Sequence, residues 1–139
     1  MESLVLNSLL KTAAALGIKV IWTKELAAET PAIIALKQRC IIMNLNWHRR
    51  NELIFQLAHE IAHLLFKNIG DEVLYECSYA QRALIEANAN SGAIKLLLPF
   101  YCEQKEREDA NAGEFISIFA IPAHLNEEVF SQMKAYYHL

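Results

Sequence analysis

The sequence has only three cysteines, Cys40, Cys77 and Cys102, and they are far apart with no C-x-x-C pair among them. An odd, scattered set makes neither a disulfide framework nor a cysteine zinc site, and it fits a reducing compartment. Basic charge is also scarce: 13 Lys and Arg stand against 16 Asp and Glu, for a formal net charge of -3. That balance lacks the electropositive face of a protein that binds nucleic acid broadly, so no direct nucleic-acid partner is expected. No run of 18 uninterrupted apolar residues occurs, which argues against a membrane span. Glu2 stands where a signal peptide would carry positive charge, and Asn7 and Lys11 interrupt the apolar stretch behind it, so a cytoplasmic location is expected. Glycine and proline are sparse too, four and three, leaving few breaks along the chain.

What is present is apolar and periodic. With 54% hydrophobic residues and 21% charged, the chain can bury enough surface to fold, and at 139 residues it reads as one domain, 1–139. Leu6, Leu9, Leu10, Ala13 and Leu16 recur at helical spacing, and Gly17 closes that helix. Lys19 to Trp22 is short and rich in β-formers. The runs AIIALK and RCIIMN meet near Lys37 and Gln38 and read as an antiparallel pair. A long helix is expected from Arg49 to Phe66, with Asn46 or Asn51 as its N-cap, and a second from about Tyr79 to Leu98, stopped by Pro99. The segment from about 100 to 139 carries the charged run Glu103 to Asp109, then two short helices parted near Pro122, the second starting at Asn126. The expected fold class is α+β: a compact, mainly helical domain with a small antiparallel sheet on the first long helix.

That helix carries His59-Glu60-Ile61-Ala62-His63, the H-E-x-x-H pattern. Residues four apart on an α-helix point in similar directions about 6 Å apart, so both imidazoles can reach one tetrahedral ion. Glu60 is turned about 100° from His59, which suits contact with a water rather than ligation. The plain alternative is two histidines in a core helix. Yet Leu53, Ile54, Leu57, Ile61, Leu64 and Leu65, flanked by Phe55, Ala58, Ala62 and Phe66, make this helix apolar nearly all round. Three titratable groups in such a helix are costly without partners, and a metal ion and its water supply them.

A catalytic zinc site needs a third protein ligand. The variant with a third His ten residues after the first, and a Gly at position 66, is excluded by Ile69 and Phe66. Glu86 is the favoured carboxylate, because its helix carries the small residues Ala83, Ala87, Ala89, Ser91, Gly92 and Ala93 that let helices approach. Asn90, one turn on, is placed to orient a ligating His. Asp71, Glu72 and Glu76 are rivals in a polar connection.

The stretch CIIMNLNWHRRNELIFQLAHEIAHLLF resembles the zinc-peptidase domain of the ImmA/IrrE family, in which a strand ending in Asn precedes a helix with A-H-E-x-x-H. The downstream IEANANSGAIKLLLP is similar to that family's second block, matching at Glu86, Ala89, Asn90, Ala93, Leu96, Leu97 and Pro99. The C-terminal IFAIPAHLNEEVFSQMKAY is also similar, so the resemblance covers about residues 15 to 138. Gly92 stands where the family usually has Phe, and Leu98 where it has Met. The resemblance implies a zinc-dependent endopeptidase that cleaves a helix-turn-helix repressor and so derepresses bacterial or mobile-element genes. On that basis His59, His63 and Glu86 would hold Zn2+, with Mn2+ as a substitute, and Glu60 would be the base. Tyr75, Tyr79 and His124 are candidates to stabilise an oxyanion. A different class of function, a non-catalytic anti-repressor or a toxin–antitoxin module retaining the zinc site, is the alternative.

Overall fold

The computed structural model describes residues 2–65 and 79–138. Helix α1, Glu2–Ala15, turns Val5, Leu9 and Ala13 inward at helical spacing. It ends as expected at Gly17, whose φ of 72° suits a residue without Cβ. The Ile18 N–H donates to the Ala13 carbonyl at 2.8 Å and the Gly17 N–H to Ala14 at 3.1 Å, the paired closure that satisfies the last helical carbonyls.

Three strands follow: β1, Lys19–Thr23; β2, Ile33–Ala35; and β3, Cys40–Asn44. The expected hairpin forms, with β2 antiparallel to β3 and Ile34 opposite Ile41. Its turn closes through Arg39, at φ 51°. The sheet is nevertheless mixed rather than wholly antiparallel: its order is β1-β3-β2, and β1 runs parallel to β3. The cause is the excursion between β1 and β2, which carries the chain past β3's place to the far edge. Groups at and just beyond the end of β3 fasten that excursion. Asn44, fully buried, donates from Nδ2 to the carbonyls of Ala27 and Thr30 at 2.7 and 2.8 Å. Asn46 donates to Lys24 and Leu26, and the His48 N–H to Ala28. Asn46 is therefore a peg for the loop, not an N-cap.

Helix α2, Leu53–Leu65, is preceded by a 3-10 turn over Arg50–Glu52, with Arg49 at its cap position and no side-chain bond there. Asn51 lies inside that turn, so neither expected asparagine caps the helix. Leu53, Ile54, Phe55, Leu57, Ala58, Ile61, Ala62, His63 and Leu64 are all buried, as the apolar surround of the motif predicts. Truncating a side chain such as Leu57 or Ile61 to Ala would cost about 2–5 kcal/mol. Met43 and Ile41, fully buried on β3, join the same core.

Helix α3, Tyr79–Cys102, packs more extensively on α2 than any other element does. It continues through Pro99 instead of stopping there. A proline three residues from a helix end forfeits one hydrogen bond, and burial of Tyr101 and Cys102 offsets that loss. Of the small residues on this helix, Ala89, Gly92 and Ala93 are buried while Ala83 and Ala87 face solvent. The charged run is a turn and one 3-10 turn, Arg107–Asp109. Two helices then follow as expected, α4 at Ala112–Phe119 and α5 at Asn126–His138, joined through a 3-10 turn at Ala123–Leu125. Asn111 caps α4 by accepting the Glu114 N–H at 3.0 Å. Trp22, Trp47, Tyr136 and Tyr137 pack against the core. None of the described helices is long and apolar enough to cross a membrane.

Candidate metal centre

Helices α2 and α3 bring the motif and the second block together. His59 and His63, one turn apart, set their rings 4.8 Å apart and nearly perpendicular. Both Nε2 atoms meet the Glu86 carboxylate, His59 at Oε2 and His63 at Oε1, each at 3.0 Å. One carboxylate thus spans two imidazoles. The His63 side chain is 5% exposed and that of His59 15%, while Glu86, at 46%, sits at the mouth. The candidate ligand atoms of His59, Glu60 and His63 lie within 4.8 Å of one another, a grouping able to hold a metal ion.

At this centre two buried polar atoms have no hydrogen-bond partner among the described residues: Glu60 Oε2 and His59 Nδ1. An orphaned carboxylate oxygen is expensive within a protein, and a bound ion with its water would relieve it. Two imidazole nitrogens and one carboxylate also make a donor set suited to zinc. The residues present fit a metal.

Burial pushes the Glu60 carboxyl above its ordinary value, with Glu86 adding to the rise, although His59 and His63 pull it down. Burial alone would lower His59, yet the hydrogen bond to Glu86, then the charges of Glu60 and Glu86, then Asn90, hold it above 6.5. Asn90 therefore lies beside His59, but no bond of proper geometry reaches Nδ1.

The centre opens into a cleft of about 770 Å³. Its walls are Arg49 and Glu52 from the 3-10 turn before α2, Phe55 and Gln56 from the start of α2, Pro31 and Ala32 ahead of β2, and Ala120 to Ala123 between α4 and α5. A second cavity of about 310 Å³, lined by Ala32, Ile34, Leu36, Glu60, His63 and Glu86, continues along β2.

The match to known families now has a geometry to rest on. The peptidase M78 family model, the IrrE N-terminal-like domain, matches residues 13–111. The chain belongs to this family. The matched residues include His59, Glu60, His63 and Glu86, and the family supports a metallopeptidase-like function. No curated protein and no solved structure matches the chain.

Of the residues named from the sequence, His59, Glu60, His63, Glu86 and Asn90 gather at one place. His124 is exposed on the turn before α5 and is not among the cleft residues, although Pro122 and Ala123 beside it are. Asp71, Glu72, Tyr75 and Glu76 lie outside the described residues, as does the side chain of Tyr79. Sequence reasoning missed Arg49, Glu52 and Gln56. Gln56 had a signal, because it stands three and four residues before His59 and Glu60 and so shares their helix face.

Proposed function

We propose that the chain is a zinc-dependent endopeptidase. What carries the proposal is the Glu86 carboxylate spanning His59 and His63 at 3.0 Å, beside the orphaned Glu60 Oε2, at the head of an open cleft. In this reading His59, His63 and Glu86 hold the ion and leave a position for water. Zinc, when bound, polarises a carbonyl and makes water a stronger acid. Glu60 Oε2 accepts the proton of the attacking water and returns it to the departing amine, a role suited to a carboxyl whose burial raises its proton affinity. Asn90, beside His59, is placed to orient that ring. Glu86 is the ligand rather than Glu60 because each of its oxygens already faces one Nε2. Manganese can substitute for zinc on the same donors.

The cleft suits an extended peptide. β2 is an edge strand, and the residues leading into and along it line both cavities. A substrate strand can add to that edge, taking affinity from main-chain hydrogen bonds. A helix-turn-helix repressor is the substrate we propose, in keeping with the family resemblance. Purified protein, stripped and reloaded with zinc or manganese, would be incubated with the product of the neighbouring repressor gene. Cleavage by the parent, lost in Glu60→Gln with its metal retained, is expected. Equal cleavage by Glu60→Gln would refute the mechanism. Tight repressor binding without cleavage by either would mark a binding module instead.

A further inference from the structure

Gln56 is a half-buried amide on the cleft wall, one helical turn ahead of Glu60 and on its face of α2. Its Oε1 accepts the Ala32 N–H at 3.3 Å. An N–H can only donate, so this bond fixes which end of the amide faces the strand. The amino group, Nε2, makes no hydrogen bond among the described residues.

The Ala32 bond also orients the edge of the sheet. Ala32 immediately precedes β2, and its N–H points to α2, away from β3. Main-chain groups alternate sides along a strand, so those of Ile34 also face the open side, while Ile33 and Ala35 lie opposite Ile42 and Cys40. An added peptide strand would find the Ile34 groups free but the Ala32 donor taken. Gln56 stands in for that donor.

We propose that Gln56 is a substrate-binding residue whose Nε2 donates to a main-chain carbonyl of the peptide in the cleft. This rests on the peptidase reading and deepens it, since a donor aimed at main chain recognises extended peptide whatever its side chains. Gln56 lies about 6 Å along the helix from Glu60. At about 3.3 Å per residue, the carbonyl it meets is about two residues from the bond cleaved.

The test separates binding from holding the strand. In a zinc-loaded Glu60→Gln background, which cannot cleave, binding of fluorescein-labelled β-casein is followed by anisotropy. Gln56→Glu keeps an acceptor for Ala32 but loses the donor, and Gln56→Met loses both. Both should weaken binding roughly five- to tenfold, the scale of one lost hydrogen bond, with zinc content unchanged. In the cleaving enzyme the same change should fall on KM and leave kcat within about twofold. If Gln56→Glu binds casein as tightly as the background, Gln56 only braces β2 and the proposal is overturned. Failure of the background to bind casein at all would overturn it equally, since main-chain recognition does not depend on sequence. Should the Gln56 dependence hold while the parent cleaves nothing, Gln56 keeps its role and the peptidase reading falls.

Discussion

Asn44 offers a test of how the fold supports the cleft. It ends β3 with no exposure, and its amide makes three hydrogen bonds: to the Ala27 carbonyl at 2.7 Å, to Thr30 at 2.8 Å, and from the Asn46 N–H at 2.8 Å. Asn44→Ala would remove all three and leave two carbonyls and one N–H seeking partners. At about 0.5–1.5 kcal/mol per bond, the loss comes to about 3 kcal/mol. For a chain of this length that corresponds to a fall in Tm of about 10 °C. The damage should also be local, since the freed segment, residues 24–31, leads directly into the cleft wall at Pro31 and Ala32. Urea denaturation of parent and variant reads the first effect, and limited proteolysis, mapped by mass spectrometry, reads the second. A loss below about 1 kcal/mol, or no new cleavage between Thr23 and Pro31, would refute the view that this side chain secures the loop.

The same residue shows where the sequence stops being legible. Features set by neighbours along the chain were readable: the Gly17 helix end, the β2–β3 pair, the buried helix around H-E-x-x-H, and the restart at Asn126. Each depends on periodicity or on one backbone conformation. The parallel pairing of β1 with β3 depends instead on a crossover held by Asn44, Asn46 and His48, about 20 residues from the carbonyls they meet. An asparagine ahead of a helix reads as a cap until such distant partners are known. Pro99 misled for a similar reason: its local penalty is real, and the burial of Tyr101 that outweighs it is tertiary. At the centre, the gathering of the histidines and Glu86 was legible because H-E-x-x-H spacing and the small residues around Glu86 are local signals. Gln56 was legible only as a neighbour of the motif on its helix face, because its bond to Ala32 depends on a strand distant in sequence.

Three further outcomes can be measured. Zinc should raise the Tm of the parent but not of His59→Ala or His63→Ala, because an ion that binds only the folded state stabilises by mass action; an undiminished zinc shift in either variant would refute the ligand assignment. Glu128 accepts from Ser91 at 2.7 Å and Gln132 at 2.8 Å, which hold its carboxyl below 4.5, so its stabilising effect is full above that value and is lost as pH falls through the lowered one. The Tm gap between parent and Glu128→Gln should therefore close on acidification below about pH 4.5, and a gap constant from about pH 6 to 3 would refute that account. Last, Glu86→Ala should release zinc to a weak chelator while Glu72→Ala and Glu76→Ala retain it. The close packing of α3 on α2 sets the Glu86 carboxylate against both Nε2 atoms, at 3.0 Å from each. Asn90→Ala removes only a neighbour of His59, and about 10–100-fold weaker retention is the expected ceiling. If Glu86→Ala keeps its zinc and Glu72→Ala or Glu76→Ala loses it, the ion is held from the connection between the two helices and the site built across them is wrong.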